Sequence, residues 1–424
     1  GGDNHFSFDA AGRLAQIERS DGSTSSYQYN AAGQLTGIHH QDAGGQTLAR
    51  FDYTLNQNGQ RTQAVETIHA AGQSTERTVT WHYDNAGKLT QETIAQTLPS
   101  VQNIVIAYSY DLVGNRSSRT ISGSIEQTTT YSYDANDRLI QEVDSISGTT
   151  TYQYDANGNL TQKTSGASTT TYSWNSDNRL IEVQTGSKTI RYGYDPQGRR
   201  IKRLKTEGSD KEETHYILDT QRAYHDIVIE RTRRNSGPWQ ETSYLFTPDG
   251  IGAPLSQHNG TDTTQIYADG QGSTRLTLDG ISAHTASYDA FGIRLHGSAS
   301  TTHGYTGEQQ DQDTGLIYLR ARDYDPATGR FISMDEHPGS QRIPLTLNKY
   351  LYGNADPVNF VDPSGHVGLG GMMSGLSGMA NLATMSMVRY QIFDMLSNAL
   401  LSPIMDAALD AFMKDGSNPS RLIQ

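Results

Sequence analysis

One short pattern recurs along the first half of the chain: aromatic, any residue, aromatic, Asp or Asn, two residues, a turn residue, a polar residue, then Leu. It reads Phe6-Ser-Phe8-Asp9-Ala-Ala-Gly12-Arg13-Leu14 and returns as Tyr27-Gln-Tyr29-Asn30-Ala-Ala-Gly33-Gln34-Leu35. Further copies begin at Trp81-His-Tyr83-Asp84, Tyr108-Ser-Tyr110-Asp111, Tyr131-Ser-Tyr133-Asp134, Tyr152-Gln-Tyr154-Asp155, Tyr172-Ser-Trp174-Asn175 and Tyr192-Gly-Tyr194-Asp195. Self-similarity at a spacing of roughly 20 to 28 residues marks a repeat array rather than a set of independent globules.

Each copy has a physical reading. Side chains on a strand alternate with period two, so the paired aromatics share one face. Asp or Asn starts a turn through its side chain, and glycine accepts the positive φ the turn needs. Leu opens the next strand. Between copies lie runs such as Gln127-Thr-Thr-Thr-Tyr131, good strand formers with one polar face. The expectation is an all-β chain of hairpins stacked edge to edge into one long antiparallel sheet. The pattern weakens between about 205 and 305, with echoes at Tyr244-Leu-Phe246-Thr-Pro-Asp249-Gly250 and Tyr288-Asp289-Ala-Phe-Gly292.

Composition agrees with a thin, extended surface. Only 34% of the 424 residues are hydrophobic, and Tyr (24) outnumbers Phe (9) and Trp (3), which suits cross-strand tyrosine pairs better than a thick aliphatic core. The net charge of −13 argues against nucleic acid as a partner of this chain. Its one basic run, Arg199-Arg200-Ile201-Lys202-Arg203, reads as a solvated strand face. Without cysteine there are no disulfides, and the scattered histidines make no metal-ligand spacing, so no metal or cofactor is expected. The chain does not open on Met, Gly1-Gly2 reads as a cut point, and no signal peptide is visible, so an N-terminal extension is expected.

A second, denser signature follows. It runs Tyr305-Thr-Gly307-Glu308, then Gly315-Leu316-Ile-Tyr318-Leu319-Arg320-Ala321-Arg322-Asp323-Tyr324-Asp325-Pro326, then Gly329-Arg330-Phe331-Ile-Ser333-Met-Asp335. It closes with Asn348-Lys-Tyr350-Leu-Tyr352-Gly-Asn354 and Asp362-Pro363-Ser364-Gly365. The tandem copies resemble the YD repeats of Rhs proteins, a family that includes polymorphic toxins, the C subunits of insecticidal Tc complexes and the teneurins. The second signature resembles the Rhs-associated core. The resemblance implies a hollow, cocoon-like shell of spiralling antiparallel sheet over residues 1–304 and a plug over 305–366. That plug would act as an aspartyl autoprotease. Residues 367–424 would then be the start of a released C-terminal segment, usually a toxin held inside the shell until delivery. A secretion-system spike or an immunity protein would be partners, and the setting would be a secreted or cell-surface bacterial effector of interbacterial competition.

Carried over position by position, the family's catalytic Arg falls on Arg322 and its two Asp residues on Asp335 and Asp362. The cut would fall at His366-Val367. Three departures stand out: Asp335-Glu336 replaces the usual Asp-Pro, a few extra residues lie around 337–345, and His366 replaces the usual Leu. The last leaves a cut after Leu369 open. Two close carboxyls share one proton, so one can activate water while the other protonates the carbonyl oxygen. Arg322 would hold the ionised form or stabilise the oxyanion. The tethered substrate gives a high effective molarity, enough for one turnover.

Two other motifs are read as turns. Asp313-Thr314-Gly315 mimics a pepsin-type triplet but sits where the signature needs a turn. Asp269-Gly-Gln-Gly-Ser-Thr-Arg275 looks phosphate-binding, yet a strand pattern rather than a helix follows it. From 367 to 388 the chain carries no charge, and Ile392, Phe393, Leu396, Leu400 and Leu401 follow at helical spacing. This short helical tail is read as a linker and first helices of cargo, or a helix against the inner wall; membrane insertion is the alternative. Two rivals to the autoprotease remain: a non-catalytic adhesive surface protein that binds glycans through tyrosines, and a membrane-active tail.

Overall fold

The computed structural model describes residues 3–98, 102–222, 224–247, 253–280, 282–341, 343–366 and 369–370. The expectations of helices and of a membrane span after Gly370 lie outside these residues.

Among the described residues, 26 strands form one antiparallel sheet, each pairing with the next in sequence from His5–Phe8 to Arg294–Gly297. The connecting turns follow from the repeat. In the copy at Asp134, its backbone N–H meets the carbonyl of Arg138 at 3.0 Å. Its carboxylate accepts the N–H groups of Asn136 and Arg138 at 2.9 and 3.0 Å. The left-handed position that glycine fills in most copies is taken here by Asp137 (φ 61°), and by Asn178 (φ 55°) two copies on. Asp and Asn are the non-glycine residues that tolerate it best. The fold holds further turns of this geometry at residues 56–60, 269–273 and 289–293, where the sequence pattern is offset or weak.

The second aromatic of a copy does more than fill space. Tyr29, Tyr83, Tyr110, Tyr133 and Tyr194 each donate the hydroxyl to the carbonyl of Leu14, Arg61, Leu89, Arg116 and Leu180, at 2.6–2.9 Å. Trp174 does the same through Nε1 to Leu160, at 2.7 Å. Each acceptor is the first strand residue after the turn of the preceding copy. Successive hairpins are thus riveted by a ladder beyond the strand pairing, and the carbonyls at the turn exits are satisfied rather than buried alone.

The sheet curls back on itself. Arg19 stacks on the ring of Tyr267 at 4.6 Å, and His40 meets the carbonyl of Ala268 at 2.9 Å. Arg275 pairs with Glu66 at 2.7 Å. Late strands therefore face early ones across a shared core of Leu35, Ile38, Phe51, Ile68, Tyr267 and Leu276. The segment after the last wall strand packs against this curl through buried residues such as Tyr305, Leu316, Ile332 and Val358. A small sheet of Ile317–Leu319, Arg322–Asp325 and Arg330–Phe331 forms its centre. Leu316 and Ile332 pack on wall residues Tyr131, Leu139, Tyr152, Leu160 and Leu180.

The basic run corrects its sequence reading. Arg200, Lys202 and Arg203 are buried, not solvated. Arg200 reaches Asp323 of the core, Lys202 pairs with Glu213, and Arg203 reaches Asp311 at 2.8 Å and Asp313. A guanidinium removed from water needs a carboxylate, and the core supplies three. Asp313 also takes Lys188 at 2.9 Å and Lys205 at 2.8 Å. The Asp-Thr-Gly triplet is therefore a docking turn.

Candidate active site

The site is built on the hairpin between Ile317–Leu319 and Arg322–Asp325, where Leu319 pairs with Arg322 across a two-residue turn. Arg322 begins the second strand with its side chain buried. The guanidinium lies on the ring of Phe331, 3.6 Å from the centroid, an apolar seat that removes it from water. Burial pushes Arg322 down to about 10, against the pull of Asp335 and then Asp362.

Both carboxylates named from the sequence meet this guanidinium. One Arg322 nitrogen lies 2.9 Å from an Asp335 oxygen and 3.6 Å from an Asp362 oxygen. Asp335 follows Arg330–Phe331, and its backbone N–H is held by the carbonyl of Lys349 at 3.0 Å. Arg322 also donates to that same Lys349 carbonyl, at 2.9 Å. Asp362 is buried at the start of the turn 362–365. It accepts the Ser364 hydroxyl at 2.9 Å and the His366 N–H at 3.1 Å. Three residues separated in sequence thus converge on one point, Asp335 lying 13 positions after Arg322 and Asp362 27 positions after Asp335.

His366, half-exposed, turns its imidazole back onto the site. Its Nδ1 lies 2.9 Å from the second Asp335 oxygen. Burial works to raise the Asp335 carboxyl, but the His366 hydrogen bond and the Arg322 charge outweigh it and hold it below the ordinary carboxylate range. Asp335 is therefore held in its ionised form. Val367, the other half of the expected cut, lies outside the described residues. The chain beyond it returns to pair with the strand before Asp362, Val361 opposite Leu369 and Phe360 opposite Gly370.

Sequence reasoning did not single out Arg320, which also holds the turn. Arg320, Ala321 and Arg322 take the carbonyls of Pro363, Ser364 and Gly365 in order. Nor did it find Arg179, whose guanidinium leaves a repeat turn to hold the carbonyls of Arg320 and Ala321 at 3.0 and 2.8 Å. An Arg at the polar position of a repeat looks the same in sequence whether or not it reaches the core. Among the described residues, no group of three or more His, Asp or Glu side chains is placed to hold a metal ion.

Comparison with known proteins agrees with the repeat reading. The teneurin YD-shell profile matches residues 60–358, and the RHS repeat profile matches residues 8–47. The tRNA nuclease WapA of Bacillus subtilis is 46% identical over 84 residues, 19% of this chain and 4% of that protein. Salivary gland surface protein 1 of Aedes aegypti is 30% identical over 182 residues, 40% of this chain and 5% of that protein. Among solved structures, TcdB2-TccC3-Cdc42 superposes with a TM-score of 0.68 at 18% identity, over 89% of this chain and 20% of that one. The chain therefore spans only a small part of the length of each relative.

Proposed function

This chain belongs to the teneurin YD-shell family, and from that premise we propose that it is the closing part of a shell that encloses a C-terminal toxin and frees it by one aspartyl cut in its own backbone. The observation that carries the reading is the Arg322 nitrogen 2.9 Å from Asp335 and 3.6 Å from Asp362, at the turn that leads into the C-terminal segment. Two carboxyls beside one guanidinium share a proton at lower cost than they ionise together. Asp335, held ionised by Arg322 and His366, polarises a water, and Asp362 supplies the proton to the carbonyl oxygen. Water adds to the carbonyl carbon, the C–N bond breaks, and the amine of the next residue leaves with a proton. The bond is that between His366 and Val367. The substrate is already in place, so the site needs no substrate pocket.

The likeness to toxin-bearing relatives supports enclosed cargo, with a secreted or cell-surface bacterial effector as the setting. A delivery spike and an immunity protein are the partners such a cargo requires. The test is intact mass spectrometry of the purified chain. The wild type should give a shell fragment ending at His366 and a second fragment beginning at Val367. Asp335→Asn or Asp362→Asn should give one uncut chain. A double variant that still divides at this bond refutes the assignment.

A further inference from the structure

A protease must hold its substrate in one register before it can cut one bond. Here the substrate is the chain's own turn, and three consecutive residues hold three consecutive carbonyls. Arg320 donates to the carbonyl of Pro363 at 2.7 Å, the Ala321 N–H to that of Ser364 at 3.2 Å, and Arg322 Nε to that of Gly365. His366 is the next residue along. Arg322 belongs to the acidic pair, and Ala321 acts only through its backbone. Arg320 is the member that holds the turn through its side chain without belonging to the acidic pair.

Two further observations set Arg320 apart. It sits at φ 59° at the first residue of the two-residue turn between Leu319 and Arg322. That position favours glycine, because any Cβ is crowded there. An arginine kept in a strained backbone position points to a task for its side chain. The rest of its guanidinium is also occupied: Glu308 at 2.8 Å, Asp226 at 3.1 Å and the carbonyl of His225 at 3.1 Å. Glu308 belongs to the core, whereas Asp226 opens the wall strand Asp226–Arg234. One planar fork therefore joins the turn before the cut, the core and the wall.

We infer that Arg320 is a positioning residue for the self-cleavage, fixing the register of residues 363–366 against the acidic pair and making the cut depend on the core being docked on the wall. This role rests on the cleavage reading above. Misplacement of the reacting bond by about an ångström costs roughly a hundredfold in rate, so loss of this one anchor is visible even where the fold survives.

The test uses the full chain. Arg320→Gly relieves the backbone strain while removing the fork, so it separates positioning from folding. Fragment formation is followed by intact mass, and shell stability by thermal unfolding in an Asp335→Asn background, where no chain is cut. The expected result is cleavage slowed roughly tenfold to a hundredfold, a mixture of fragment ends one or two residues apart, and an unfolding temperature below that of Asp335→Asn alone, because Glu308 and Asp226 lose their partner, yet still well above the temperature at which cleavage is followed. A purely structural residue would not scatter the cut position. Arg320→Lys should restore a single fragment end with part of the rate. Arg320→Gly cutting at the wild-type rate and at one bond overturns the inference. Should Arg320→Gly fail to fold, Asp226→Asn decides: slower cleavage supports the wall coupling, and an unchanged rate overturns it. A wild-type chain that stays intact overturns the cleavage itself, and this role with it.

Discussion

Arg200 of the wall grips Asp323 of the core with one nitrogen, 2.8 and 3.1 Å from the two carboxylate oxygens. Its guanidinium lies between the rings of Tyr192 and Tyr318, each centroid 4.0 Å away. Both charges are almost fully shielded from water. Truncating one partner leaves the other buried and uncompensated, at a cost of about 3–5 kcal/mol. Asp323→Ala should therefore lower the unfolding temperature sharply and expose the 303–366 segment to limited proteolysis. The paired replacement Arg200→Met with Asp323→Leu should recover most of the loss. Equal stability of Asp323→Ala and the wild type would show that the core is not held there.

The tyrosine ladder makes a smaller, repeated claim. Tyr133 donates to the carbonyl of Arg116 at 2.8 Å, and Tyr194 to that of Leu180 at 2.7 Å. Removing the hydroxyl keeps the ring and its packing but deprives a shielded carbonyl of its donor. Each Tyr→Phe change should cost about 1 kcal/mol, read as a lower denaturation midpoint in urea. The two changes sit three copies apart, share no contact, and should add. No shift in either variant would mean that water replaces the hydroxyl freely and that the ladder is decorative.

Much of the wall was legible because its turn chemistry is local. Asp9, Asn30, Asp84 and Asp134 each hold their own turn within four residues, so a single-sequence pattern contains the whole cause. The turn at residues 56–60 escaped the pattern because Leu55 stands where the second aromatic is expected and Arg61 where Leu is, leaving only Tyr53 of the signature's apolar residues. The burial of Arg200 and Arg203 was not legible, because their partners Asp323 and Asp311 lie more than a hundred residues onward. Nothing in a basic strand says which face meets a carboxylate. The site divides in the same way. Arg322, Asp335 and Asp362 were reached through resemblance, and the geometry brings them together. Arg320 and His366 acquire their contacts only when the turn 362–365 folds back on the hairpin.

Asp356 gives the fold a pH signature. Its carboxyl is buried, and burial pushes it up to about 6, against hydrogen bonds from Asn359 and Gln60. In the unfolded chain the same group ionises near 3.8. Between those values the folded state keeps a proton that the unfolded state has lost, so stability falls as pH rises through this window. The stabilising share is fully present below 3.8 and gone above about 6. Asp356→Asn stays neutral throughout and, with its amide oxygen in the Oδ1 position, keeps an acceptor for Asn359, while Gln60 must turn its amide to present an acceptor. Its stability relative to the wild type should climb by on the order of 2–3 kcal/mol across the window. Urea midpoints of the two proteins at pH 4, 5 and 6.5 measure this directly, and parallel curves would place the Asp356 charge in contact with solvent.

His366 connects the residue before the proposed cut to the chemistry of the pair. Its Nδ1 lies 2.9 Å from Asp335, which depends on that hydrogen bond and on Arg322 to overcome the upward push of burial. Removing the imidazole takes away a contribution that lowers the Asp335 carboxyl, so its ionisation should move to higher pH in His366→Leu. If ionised Asp335 activates the water, the acid limb of the cleavage-rate profile reports that ionisation. The limb should therefore shift upward in His366→Leu while the rate on the plateau is kept or raised, since that Asp335 oxygen then keeps only the His337 N–H and has room for a water. A second variant, His366→Asn, retains a donor near Asp335 and should leave the limb closer to its wild-type position. Measuring fragment formation from pH 3 to 8 in the three proteins separates the outcomes. An identical acid limb in all three would mean that Asp335 is not the group whose ionisation starts the reaction, and would pass that role to Asp362.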